Sequence, residues 1–182
     1  MTLTNRANDR RQLNEASLKE LALAYVARYA TTRAKLRAYL LRKVRERGWS
    51  GERPANVEWL ADHLSELGYV DDAGYALSKA RALAARGYGK RRLVDQLRLA
   101  GVEDGDRAEA TAHADEELVE AGLRFARRRR IGPFANGPAG PREREKWTAA
   151  MVRAGHPYEL ARAIVAIAPG AEVDVDALQD CV

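Results

Sequence analysis

Glycines that close helical patterns recur at a fixed interval along this chain, and that interval narrows the folds open to it more than any other feature. Gly48, Gly101 and Gly155 stand 53 and then 54 residues apart. The phrases "LLRKVRERGW", "LVDQLRLAGV" and "WTAAMVRAGH" each place a large apolar residue eight positions before the glycine, namely Leu40, Leu93 and Trp147. Glycine is favoured at such a stop because the residue just past a helix turns left-handed, where a Cβ is costly. No segment alternates with the period of a strand. The expectation is an all-α fold, an elongated array of three tandem three-helix repeats with about nine helices and no sheet, each repeat contacting mainly its neighbours.

The helical periods fill in this scheme. Residues 1–16 are polar and unpatterned and read as a disordered basic arm carrying Arg6, Arg10 and Arg11. Repeat 1, residues 17–70, opens on a capping box of Ser17 and Glu20. Leu18, Leu21, Ala22, Tyr25, Val26 and Tyr29 then share one face. A second helix from Thr32 to Arg47 carries Leu36, Leu40 and Val44, and a third follows Pro54 with Val57, Leu60, Ala61, Leu64 and Leu67 before Gly68. Repeat 2, residues 71–114, has helices from about Asp72 to Arg86, stopped by Gly87, from Lys90 to Ala100, and from Asp104 to His113. Repeat 3, residues 115–168, has helices at Asp115–Arg130, Pro141–Ala154 and Pro157–Ile167. It is interrupted by a Gly/Pro-rich insertion, 131–141, inside a long 127–145 connection. Residues 169–182 read as an acidic tail that frays.

Composition bounds the partners. With 31 Lys+Arg against 26 Asp+Glu, the formal charge of +5 suits an anionic partner. The single cysteine, Cys181, has no intramolecular mate, which fits a reducing compartment. No apolar run is long enough for a membrane span, and "MTLTNRANDRRQLNEAS" lacks the apolar centre of a signal peptide, so cytoplasm is the expected location and no membrane contact is expected.

Chemistry finds little to work with. In "RGYGKRRLV", Gly89-Lys90 evokes a phosphate loop, but Ala84 stands where that loop needs glycine and Arg91 where it needs Ser or Thr. The simpler reading is a joint between helices, with Gly87 as the stop, Gly89 permitting the turn, and Lys90, Arg91 and Arg92 facing solvent. Cations in a first helical turn oppose the macrodipole, a cost that favours a binding role for them. Asp71 and Asp72 fit an N-cap better than a metal pair. His63, His113 and His156 have no ligand spacing and read as surface or boundary residues. No nucleophile motif is present, so no enzyme, metal or cofactor is expected. Trp49, Trp59 and Trp147 fit core positions better than base-stacking ones. The run Arg127–Arg130 is open to two readings: a solvated helix end, or contact with phosphate or an acidic protein surface.

The phrases "ELGYVDDAGYA" (66–76), "RGYGKRRLVDQLRLAGV" (86–102), "LLRKVRERGW" and "MVRAGHPYELARAIV" (151–165) together resemble the RecX family of bacterial recombination regulators. The resemblance implies a non-enzymatic modulator that binds the RecA filament on DNA, lies along its groove, and reduces its ATP hydrolysis, strand exchange and growth. Contact with that filament or its DNA is then expected from Arg81, Arg86, Lys90, Arg91, Arg92 and Arg98, with Arg127, Arg128, Arg129 and Arg130 as a second patch. Asp72, as a cap, and Tyr75, as inter-repeat packing, are assigned to the fold, with Gly48, Gly87, Gly101 and Gly155. The expected partner is RecA, with single-stranded DNA as a further candidate, and the chain is expected to be a monomer. Two rival functions remain: direct action on single-stranded DNA, or a helical-repeat adaptor for another protein.

Overall fold

The computed structural model describes residues 12–181, and within them every regular element is helical. The ten α-helices among the described residues are α1 Glu15–Val26, α2 Arg33–Arg47, α3 Val57–Glu66, α4 Asp72–Ala85, α5 Lys90–Leu99, α6 Ala108–Glu116, α7 Leu118–Arg129, α8 Pro141–Arg153, α9 Tyr158–Ala166 and α10 Val175–Gln179. Short 3-10 turns at Gly105–Arg107 and Gly132–Phe134 precede α6 and α8. The only extended pairing among the described residues is an isolated bridge between Leu13 and Trp49. The all-α expectation therefore stands. Arg6, Arg10 and Arg11 lie outside the described residues.

The chain divides into two compact units. Among the described residues, unit 1 is 12–75 with Ala100–Glu103, and unit 2 is Ala76–Leu99 with 104–181.

In unit 1 the core is a cluster of Leu18, Ala22, Leu36, Leu40, Leu60, Ala61 and Leu64, each drawn from one face of α1, α2 or α3. Burying each such leucine contributes about 1.5–3 kcal/mol. Side chains close the helix ends. Asn14 caps α1, accepting from the Ser17 amide while Ser17 Oγ accepts from the Asn14 amide. The cap thus lies three residues before the expected Ser17, because Asn14 and Ser17 satisfy each other's amides. Gln12–Ala16, expected to be disordered, are consequently ordered, with Leu13 fully buried. Asn56 caps α3, so Pro54 lies ahead of the first turn and not in it. Gly68 ends α3 with the Tyr69 amide reaching Leu64 O and the Gly68 amide reaching Ser65 O, the paired bonds of a left-handed helix stop. Tyr29 and Leu67, expected on buried faces, fall past their helix ends and are exposed.

The start of α2 draws on three distant residues. Thr32 Oγ1 accepts from the Lys35 amide and donates to Ala100 O at 2.6 Å. Asp72 Oδ1 accepts from the Arg33 amide at 2.9 Å. Asp71, with Oδ1 on the Gly74 amide, is the residue that caps α4. The buried Asp72 is instead a cap lent to another helix, where its charge also suits the macrodipole. Tyr75 accepts a 2.5 Å hydrogen bond from Lys35, whose ammonium lies 4.5 Å from the tyrosine ring centre.

In unit 2, α7, α8 and α9 enclose Val119, Phe125, Met151, Leu160 and Ile164. Ile131, Gly132 and Pro133, in the expected insertion, are buried, so that connection is anchored at its start. The tail does not fray: Asp174 caps α10, and Leu178 joins the same core. A contact that packs an apolar side chain outweighs the acidic, turn-rich composition on which the contrary expectation rested.

Candidate anion and protein interface

Two turns and helix α7 in unit 2 meet backbone to backbone, and this joint positions the basic side chains. At Gly87, φ is +72°, and a Cβ would stand 2.6 Å from the Phe125 amide nitrogen. At Gly89 a Cβ would stand 2.2 Å from Gly155 O, and one at Gly155, where φ is +100°, would stand 2.6 Å from the Arg92 amide nitrogen. The Gly89 amide donates to Ala154 O at 3.0 Å and the Arg91 amide to Gly155 O at 3.3 Å. The Gly89 and Arg91 amides are therefore spent on the end of α8, and the Arg92 and Leu93 amides on Gly89 O, so these four do not cradle a phosphate. This is the physical reason that the glycine-cation turn is a joint.

His156 completes the joint. It lies at a helix boundary, between α8 and α9, but is buried at 3% exposure and not on the surface. Its Nε2 stands 3.1 Å from Gly87 O. A carbonyl only accepts, so Nε2 carries the proton and donates. Nδ1 is buried without a hydrogen-bond partner among the described residues. Burial holds the His156 pKa below the usual histidine value, only partly opposed by the bond to Gly87.

Above the joint, guanidinium groups gather on two aromatic rings. Arg92 lies 4.3 Å from the Tyr88 ring centre. Arg128 lies 5.4 Å from Tyr88 and 5.6 Å from Phe125, and Arg129 lies 5.9 Å from Phe125. These rings, with Arg153, Ala150 and Ala154, line a groove of about 490 Å³ that has no acidic residue in its walls. Arg92 Nε is buried and has no hydrogen-bond acceptor among the described residues. Arg92 is therefore half-buried and not turned wholly to solvent as the sequence suggested; its guanidinium lies over Tyr88, just past the Gly87 stop. Each ring contact is worth about 0.5–1 kcal/mol at a partly exposed site.

The other sequence-derived cations are placed differently. Lys90 pairs with Asp115 at 2.6 Å. Arg127 lies over Phe134 at 4.8 Å. Arg81, Arg86, Arg91, Arg98 and Arg130 are exposed, and no ion pair among the described residues engages them. Sequence reasoning missed Arg153 and Tyr88. Their signal was their place beside the stop glycines, Arg153 two before Gly155 and Tyr88 one after Gly87, where two turns meet.

A second groove, of about 720 Å³, runs along α8 and α9. Ala149, Val152, Tyr158 and Val165 form its apolar part, and Arg144, Arg153 and Arg162 its basic edge. In unit 1, Trp59 is 58% exposed, against its expected core placement, and its ring stacks on His63 at 4.9 Å. Trp49, Trp59, Lys19 and Arg53 line a groove of about 470 Å³ there.

Comparison with known proteins gives this surface a context. The chain is 37% identical over 164 residues to the regulatory protein RecX of Myxococcus xanthus (strain DK1622), covering 85% of this chain and 87% of that one. The chain belongs to the RecX family. It is also 31% identical to the regulatory protein RecX of Halorhodospira halophila, over 84% of this chain and 88% of the relative, and 31% identical to that of Agrobacterium fabrum, over 75% and 74%. No protein-family model matches the chain. These RecX relatives are regulatory proteins by name, a role that calls for a binding surface. Among the described residues, no cluster of three His, Cys, Asp or Glu side chains could hold a metal, and no helix is long and apolar enough to cross a membrane.

Proposed function

We propose that this chain regulates the RecA recombinase by binding its filament on DNA, chiefly inhibiting ATP hydrolysis, strand exchange and filament growth, and that it performs no chemistry itself. The observation that carries this is the groove in which Arg92, Arg128, Arg129 and Arg153 converge with no carboxylate among them, on a chain of a regulatory family. Uncompensated guanidinium groups call for an anionic surface, either acidic protein or phosphate. The apolar groove along α8 and α9 supports a protein as the main partner, because phosphate gains nothing from Val152 and Val165. The helices are read as three successive triplets, which offer a filament repeated weak contacts that sum to firm binding. The protein acts as a cytoplasmic monomer, and Arg81, Arg86, Arg91, Arg98 and Arg130 extend the contact surface.

The test is RecA ATPase activity on single-stranded DNA with the protein titrated in. Inhibition is expected, and Arg128→Glu with Arg129→Glu is expected to raise the half-inhibitory concentration at least about tenfold, given about 1.5–3 kcal/mol per charged hydrogen bond lost. Circular dichroism checks that helical content is kept. Absence of inhibition at any ratio refutes the proposal.

The exposed Trp59, beside Trp49, Lys19 and Arg53, favours a second reading, direct binding of single-stranded DNA by base stacking. Under it, log affinity for a bare oligonucleotide falls with log salt at about −0.7 per phosphate contacted, and Trp59→Ala weakens binding without RecA present.

A further inference from the structure

The groove above the glycine joint poses an electrostatic problem that the regulatory role leaves unsolved. Four guanidiniums, from Arg92, Arg128, Arg129 and Arg153, share a space of about 490 Å³ with no Asp or Glu in its walls. Three of them stand in the last turns of α7 and α8, where the negative ends of the helix dipoles tolerate cations. The rings of Tyr88 and Phe125 hold Arg92, Arg128 and Arg129 in place. These features explain how the cluster assembles, but they do not satisfy its donors. Arg92 Nε is buried without an acceptor among the described residues, and a buried donor left unbonded is unfavourable unless a ligand supplies one.

We propose that this groove binds a compact polyphosphate chain, as borne by a nucleoside triphosphate or by inorganic polyphosphate. The volume lies within the range of small-ligand pockets. Charge density decides the class. A nucleic-acid strand carries one negative charge per nucleotide, so few of its phosphates fit the groove at once. A triphosphate sets its charges on three adjacent phosphorus atoms, and its many oxygens match the forked donors of several arginines. Arg92, Arg128 and Arg129 flank the chain from the ring side, and Arg153 reaches it from the end of α8. The glycine joint fixes their spacing, since Arg92 opens from the turn locked to Gly155.

The site uses some of the side chains assigned to the recombinase contact, yet it does not rest on that reading. Its test needs the full-length protein alone, so a negative result here leaves the ATPase experiment unaffected. Isothermal titration calorimetry at low salt compares sodium tripolyphosphate, ATP, AMP, adenosine and an oligothymidylate matched in phosphate concentration. Tripolyphosphate and ATP are expected to bind at least about tenfold more tightly than AMP or the oligonucleotide, the loss of one charged hydrogen bond being worth about that factor. Equal binding of the first two assigns recognition to the phosphate chain; tighter binding of ATP adds its nucleoside. Arg153→Glu and Arg153→Gln are each expected to weaken both ligands at least about tenfold. Arg45→Glu, the same charge reversal on α2, should leave them within about twofold, as expected of an exposed charge outside the groove. No binding by either ligand, an oligonucleotide as tight as ATP, or an equal loss in Arg45→Glu overturns the site.

Discussion

Each described helix that starts in unit 1 is capped by a side chain, whereas α6, α7, α8 and α9 of unit 2 start without one. In unit 1, Asn14, Thr32, Asn56 and Asp71 each place an oxygen on a first-turn amide, and Asp72 crosses to serve α2. In unit 2, Gly87, Gly89 and Gly155 let two turns and α7 touch with no side chain between them. Charge follows the same divide. On α2, Arg33, Arg37, Arg42 and Lys43 have carboxylates nearby, with Arg37 on Glu58 and Lys43 on Glu46. Around the joint of unit 2 the guanidiniums lean on rings and meet no acid. A cap is a graded, replaceable interaction, while a joint that excludes every Cβ has one solution. A surface that must hold several cations at set spacing is better built on the second kind.

The largest effect expected from this contrast is at Gly89. A Cβ there meets a backbone carbonyl at 2.2 Å, and neither partner can rotate away. Gly89→Ala should cost about 3 kcal/mol or more in urea unfolding, as overpacking does when backbone must move. Asn56→Ala, which removes a cap in unit 1, should cost about 1 kcal/mol. Similar losses in the two variants would break the contrast.

Next in size is a pH effect confined to unit 2. Burial lowers the His156 pKa in the fold, so the unfolded chain takes up a proton first as pH falls. Stability is then constant above the ordinary histidine pKa of about 6.5 and declines as pH drops below it, levelling once the folded pKa is passed. Each tenfold reduction in proton affinity on folding is worth about 1.4 kcal/mol. His156→Gln, which can still donate to Gly87 O, should lose this component. Unfolding midpoints followed from pH 7.5 to 5 provide the measurement; identical pH profiles would show that Nδ1 finds a partner on protonation.

Much of the fold was legible because periodicity and stop glycines depend only on local chemistry. Leu36 and Leu40 were placed on an apolar helix face by spacing, and both are buried. Gly48, Gly87, Gly101 and Gly155 all take positive φ, as helix stops require. The long-range caps were not legible: nothing near Asp72 announces that its carboxylate belongs to Arg33, thirty-nine residues earlier. The site was half legible. Arg92 and the Arg127–Arg130 run stood out as charge. Their convergence with Arg153 depends on Gly89 touching Gly155, which no local pattern encodes.

The smallest effect compares two helix stops of the same geometry. The ends of α3 and α7 carry the same paired backbone bonds, but the left-handed position is Gly68 in one and Arg130, at φ +55°, in the other. A side chain at such a φ is disfavoured by about 1–2 kcal/mol, partly offset by the greater freedom glycine has when unfolded. Arg130→Gly should therefore stabilise the protein by about 0.5–1 kcal/mol. Gly68→Ala should destabilise it by a similar amount, since a Cβ there meets nothing within 4 Å and only φ is at issue. Opposite shifts of like size in the two urea midpoints would mean that Arg130 is retained against a backbone cost, as strained positions at functional surfaces are. A neutral Arg130→Gly, beside a destabilised Gly68→Ala, would instead mean that the arginine side chain recovers that cost within the fold.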